Sequence, residues 1–151
     1  MTQKVSTNYR KDEFMQKSRT PAGATAINSG DLVYYDAVAV IAKPLDTDAH
    51  AATFMGVSFD STPVDVYSGE NLPTVNVAAR GQFELNSTSG DTYNPGDKVY
   101  IGADAQTVTN TAGAMTHPIG TIAMDPSMVA LAGGTGVKVL VDIVPAYPTV
   151  A

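Results

Sequence analysis

At 151 residues the chain is long enough to bury roughly 70% of its unfolded surface as one domain, and its lack of cysteine excludes disulfides and thiolate metal sites. The net charge of −6 is unevenly placed: residues 1–20 hold Lys4, Arg10, Lys11, Lys17 and Arg19 against Asp12 and Glu13, whereas the remainder holds four basic and thirteen acidic side chains. No apolar run approaches the roughly 20 residues of a membrane-crossing helix, the first residues lack the apolar centre of a secretory signal, and an acidic body without a basic stripe repels phosphate, so the expectation is a soluble chain made in a cytoplasm with neither membrane nor nucleic acid as partner.

In chain order, residues 1–23 read as an extended basic N-terminal arm, closed by Thr20-Pro21-Ala22-Gly23. Fixing twenty such residues costs on the order of 20–40 kcal/mol of backbone entropy. Three net charges, screened over roughly 8 Å, cannot offset that. The arm therefore orders only by burying Val5, Tyr9, Phe14 and Met15 against a partner, with Arg10, Lys11, Lys17 and Arg19 as charged contacts. On this reading, deleting residues 1–20 leaves the melting temperature nearly unchanged.

Residues 24–151 read as a β-rich body. Residues 32–40 form the first strong strand, 43–50 a polar loop, 53–59 an apolar strand, and 63–70 a polar excursion with Val64 and Val66 on one face. The longest alternation follows: Val75, Val77, Ala79, Gly81, Phe83 and Leu85 on one side, Asn76, Ala78, Arg80, Gln82 and Glu84 on the other, the pattern of a half-buried strand. A second alternation, Val137, Val139, Val141 and Ile143, ends at Pro145. Helix is confined to a turn or two, in the arm and at 126–131. Short strands separated by Gly/Asp turns predict an all-β barrel or sandwich.

One phrase occurs twice. Gly30-Asp31-Leu32-Val33-Tyr34 is repeated as Gly96-Asp97-Lys98-Val99-Tyr100. Each glycine supplies a turn, each aspartate accepts local N–H bonds, and a β-branched and aromatic run then enters a strand. Phe54-Met55-Gly56-Val57 is echoed by Pro118-Ile119-Gly120-Thr121, and Val75-Asn76-Val77-Ala78 by Val137-Lys138-Val139-Leu140. Three landmarks in one order predict two related halves, at about 30–85 and 96–144. Asp60 and Asp125 close matching strands.

Catalytic patterns are missing. His50 and His117 have no second ligand at metal spacing, Asp46-Thr47-Asp48 lacks the glycine and distant glutamate of a calcium loop, and Gly133-Gly134-Thr135-Gly136 lacks the lysine of a phosphate loop. No catalytic, cofactor or metal residue is assigned.

The run Val77-Ala78-Ala79-Arg80-Gly81-Gln82-Phe83-Glu84-Leu85, followed by Pro95-Gly96-Asp97-Lys98-Val99-Tyr100 and Pro118-Ile119-Gly120-Thr121-Ile122, resembles the small head decoration (capsid cement) proteins of tailed bacteriophages. The resemblance covers roughly residues 24–144. It implies a barrel-like body, often a homotrimer, that sits on the outer surface of the virion shell, binds the major capsid protein and ties neighbouring capsomers together without catalysis. Two other classes fit less well. A virion-surface adhesin or carbohydrate-binding module wants exposed aromatics, with Tyr67, Tyr93 and Tyr147 as candidates. A small trimeric β-rich hydrolase wants converging carboxylates and a phosphate cluster, and only Arg80 lies near the longest strand.

Overall fold

A computed structural model describes residues 17–21, 26–59, 74–104, 106–123 and 130–146. Residues 1–16, the excursion at 63–70, Asp60, Asp125 and most of 126–131 lie outside the described residues. Five strands, β1 (Lys17–Pro21), β2 (Leu32–Asp36), β3 (Ile41–Pro44), β4 (Phe54–Ser58) and β5 (Thr74–Ala78), form a curled sheet in the order β1-β5-β4-β2-β3. A 3-10 turn, His50–Thr53, precedes β4. Then come β6 (Gly81–Ser87), β7 (Thr92–Tyr93), β8 (Lys98–Ile101), β9 (Thr107–Thr109), β10 (Gly120–Ile122), β11 (Leu131–Ala132) and β12 (Lys138–Ile143). Of these, β10-β12-β6-β9-β8 close into a barrel, and β7 and β11 form a short ribbon. The fold is all-β, as its alternating apolar pattern requires.

Three boundaries differ from the sequence reading. Residues 17–21, which read from the sequence as part of the arm, form β1 and pair with β5 from Lys17↔Ala78 to Pro21↔Thr74. The long alternation from Val75 to Leu85 is two strands in different sheets, separated at Ala79 and Arg80. Gly81, at φ 127°, lets the chain change sheets without losing its inside–outside alternation. The strand from Leu32 ends at Asp36 rather than Val40, because residues 37–40 turn into β3.

The register exposes a correspondence between the two sheets. Val33 pairs with Gly56 in the first, and Val99 with Gly120 in the second. Tyr35 faces Ala42, and Ile101 faces Val108. The Gly30 N–H donates to the Ser58 carbonyl (2.8 Å), and the Gly96 N–H to that of Ile122 (2.9 Å). The Phe59 N–H donates to Asn76 O at 2.8 Å, and the Ala123 N–H to Leu140 O at 2.9 Å. The two non-glycine residues of positive φ among those described, Val40 (61°) and Gln106 (64°), hold matching places at the ends of the β2–β3 and β8–β9 turns. Mapping one sheet on the other makes β1-β5-β4-β2-β3 equivalent to β6-β12-β10-β8-β9. The parallel pairing of β6 with β9, Asn86↔Thr107 and Ser87↔Val108, closes the second unit only. We propose that the halves are two copies of one unit, the first beginning at β1 and the second at β6.

The copies differ in what covers them. On β2, Leu32, Val33 and Tyr34 are all buried, and so are Phe54, Met55 and Val57 on β4. Val33 and Met55 face the small core of the first sheet with Ile27, Ala42, Val75 and Val77. Leu32, Tyr34, Phe54 and Val57 belong to the larger core, which holds Leu85, Val99, Val108, Ile122 and Val141 of the barrel. A strand buried on both faces needs a continuous apolar run, and one with a wet face alternates. The matching residues of the second unit follow that second rule: Lys98 and Pro118 are exposed, and Tyr100 and Thr121 are only partly buried. The barrel therefore sits against the outer face of the curled sheet and leaves its own equivalent face to solvent.

Candidate interaction surface

Two side chains among the described residues, Gln106 and Asp48, hold the units in register, beside a main-chain bond from the Ala146 N–H to the Phe54 carbonyl at 2.8 Å. Gln106 reaches from the barrel to the first sheet, where its Oε1 accepts the Leu32 N–H (2.6 Å) and its Nε2 donates to the carbonyls of Leu45 (2.9 Å) and Leu32 (3.2 Å). The Leu32 carbonyl also accepts the Leu45 N–H (2.8 Å), but the Leu32 N–H and the Leu45 carbonyl, beside buried side chains, would lose the Gln106 amide, and that is costly. Replacing Gln106 by alanine is expected to destabilise the protein by about 1–3 kcal/mol in a denaturant titration.

The second contact is Asp48. Its carboxylate accepts the N–H groups of Thr116 (3.1 Å) and His117 (3.0 Å) and lies 3.2 Å from His117 Nδ1. Partial burial pushes its pKa up, but the two N–H donors and the imidazole outweigh this and hold it below the ordinary value. A depressed carboxylate adds stability above its unfolded value, near 4, and that stability is lost as pH falls through the lower folded value. Melting temperature should therefore fall between about pH 4 and the acid limit, and the fall should shrink in Asp48→Asn. A neighbouring pair, Asp46 Oδ1 and His50 Nδ1, lies at 2.5 Å, and the His50 ring stacks on Tyr34 with centroids 4.3 Å apart. The two histidines thus meet two carboxylates of one loop. Even so, no group of three or more metal-capable side chains occurs among the described residues.

The β2–β3 turn is held from below. Asp36 Oδ1 accepts the N–H groups of Val38 (3.0 Å) and Ala39 (3.1 Å), its Oδ2 pairs with Lys43 Nζ at 2.6 Å, and its carbonyl accepts the Val40 N–H at 2.7 Å. The Lys43 ammonium, seconded by the Ala39 and Val38 N–H groups, holds the Asp36 carboxyl down at about 2, so the turn keeps its anchor at any ordinary pH. Above that anchor Val38 is 95% exposed and Val40 56% exposed.

The residues assigned from sequence fall in three places. Val5, Tyr9, Arg10, Lys11, Phe14 and Met15 lie outside the described residues, and Lys17 and Arg19 stand on β1. Gly30 (φ 94°) and Gly96 (φ 89°) occupy turns in which Asp31 Oδ2 accepts the Asn28 N–H at 2.7 Å and Asp97 Oδ2 accepts the Asn94 N–H at 2.9 Å. That bond, aided by the Asn110 amide, keeps the Asp97 carboxyl below its usual range. Tyr93, a candidate sugar-stacking ring, is instead fully buried: its hydroxyl donates to Val108 O at 2.6 Å and accepts the Thr88 N–H at 2.9 Å. Asp91 accepts hydrogen bonds from Thr109 and Thr111 at the same end of the barrel. The cleft between the units, lined by Asp31, Glu84, Asn86, Gln106 and Lys138, is polar. Gln106 and the 37–40 turn were missed in the sequence; the comparison that finds them is between Ala37-Val38-Ala39-Val40 and Ala103-Asp104-Ala105-Gln106, sixty-six positions apart.

The family model of phage cement protein matches residues 64–142. The chain belongs to the phage cement protein family. The match takes in β5 through β11 and all but the last residue of β12, so it carries every barrel strand apart from Ile143, while β1 to β4 precede it. No curated protein and no solved structure matches the chain. A cement protein is a capsid-associated structural component of a phage, and this sets the role in which the junction and the exposed turn of this chain are to be understood.

Proposed function

We propose that this cement protein binds the outer surface of an assembled phage head and stabilises it by bridging neighbouring capsomers, with the major capsid protein as its partner and no catalytic step. The observation that carries this reading is the family match across the closed barrel. The described chemistry is in keeping with it. Asp31, Asp36, Asp48, Asp91 and Asp97 each spend their acceptors on turns or on the junction between units. Residues 1–16 supply a basic, partly apolar segment next to β1, and in this reading Val5, Tyr9, Phe14 and Met15 bury themselves against the shell or across a boundary between copies. Three copies meeting at one site, as a homotrimer, would give each bridge several feet at once.

The test is direct. Purified protein mixed with empty, undecorated heads of its own phage should co-sediment with them and raise the temperature at which they come apart. Cross-linking should join one copy to more than one capsid subunit. Heads that neither retain the protein nor gain resistance to heat would sink the proposal, and sedimentation of the free protein reports whether the trimer exists before binding.

A further inference from the structure

We infer that the β2–β3 turn, residues 37–40, is an apolar plug that seats in an apolar socket of the shell protein; this rests on the cement reading above. The argument begins with the correspondence between the units. The connection from β8 to β9 is a docking device already in use, since its Gln106 reaches across to Leu32 and Leu45 of a neighbouring sheet. The matching turn keeps both alanines but replaces Asp104 and Gln106 by Val38 and Val40. It faces solvent, where the polar pair would be the ordinary choice.

Backbone geometry points the same way. Val40 holds φ 61°, the left-handed region that asparagine or glycine occupies readily and a β-branched residue does not. A strained, exposed, apolar residue gains nothing for the fold where it stands. The turn is nevertheless fixed, by the Asp36 carboxylate below Val38 and Ala39 and by the Lys43 pair behind it. A small apolar knob held rigid before contact loses little entropy when it is buried.

The socket is assigned to another protein because the described residues of this chain do not offer one. Among the described residues the large exposed hydrophobics are Val38, Val40 and Val144. The face of the barrel that corresponds to the covered face of the first sheet presents Lys98, Pro118 and Asp142 to solvent, a poor seat for two valines.

The experiment compares binding to empty heads for the unaltered protein, Val38→Ser combined with Val40→Asn, and Val38→Leu. The double variant removes the apolar surface and gives position 40 a residue suited to its φ, so its melting temperature should hold or rise. Its affinity for heads should fall about tenfold or more, as expected for burying a valine-sized group, while Val38→Leu stays within about threefold of the unaltered protein. A photo-crosslinking residue at position 38 should join to the major capsid protein. Undiminished binding of the double variant would overturn the inference and leave the cement reading standing. Cross-linking to a second copy, or loss of an oligomer in the double variant, would overturn it in favour of a contact between copies. Failure of the unaltered protein to bind heads would overturn the cement reading and the inference together.

Discussion

Alanine at Gly56 should cost roughly 3–5 kcal/mol and bring the protein to the edge of folding. A Cβ there would press into the backbone carbonyl of Ala78 on the adjoining strand, and at φ 142° no L-residue sits comfortably. Neither obstacle is a side chain that could rotate away. Gly120 has the same problem in the barrel, where a Cβ would meet the carbonyl of Asp142, the residue that corresponds to Ala78. Gly120→Ala lacks the penalty of a positive φ and should lose about 2–3 kcal/mol. Denaturant midpoints of the two variants measure both values. A loss under about 1 kcal/mol at either site would mean that β4 and β5, or β10 and β12, slide apart more easily than their registers imply.

Truncation should separate the arm from the strand it leads into. Removing residues 1–16 leaves β1 whole, and melting should be nearly unchanged while binding to heads weakens. Removing residues 1–21 takes away all five residues that pair with β5 and leaves the edge of that strand, whose Val75 and Val77 are fully buried, without its neighbour. Losing that strand should cost several kcal/mol, about what large core truncations cost. The sequence-based expectation for a cut at residue 20 therefore gives way to a threshold near residue 17. Thermal melts of the two truncated proteins, with binding to empty heads, decide it.

Most of the fold was legible because its signals are local. The Gly-Asp turns, the period-two alternations and the glycines that break the apolar strands all lie within a few residues of one another. What escaped the sequence depends on distance. The third landmark was aligned as Val75 with Val137, but the pairings Ser58↔Val77 and Ile122↔Val141 make Val75 the counterpart of Val139. A shift of two leaves every side chain on its own face, so periodicity cannot detect it. For the same reason Val75 to Leu85 looked like one strand: alternation persists across Ala79 and Arg80 while the chain passes from one sheet to the next. Residues 17–21 carry no apolar alternation and gain their strand character from pairing with β5. The contrast between Leu32 and Lys98 was in plain view and tells which unit is covered, but it acquires meaning only once the two units are known to pack. Gln106 gave no local sign, since its partners lie more than sixty residues away.

The pairing of β1 with β5 also dictates when the first unit can form. Lys17 waits for Ala78, 61 residues later, and the apolar outer face of β2 and β4 then waits for a barrel that is finished only by β12. Long waits of this kind slow folding and leave apolar strands bare on the ribosome. They also tie the two units into one cooperative event, because the larger core is built from side chains of both. A component that is either wholly folded or not folded offers its shell no half-made copies to incorporate.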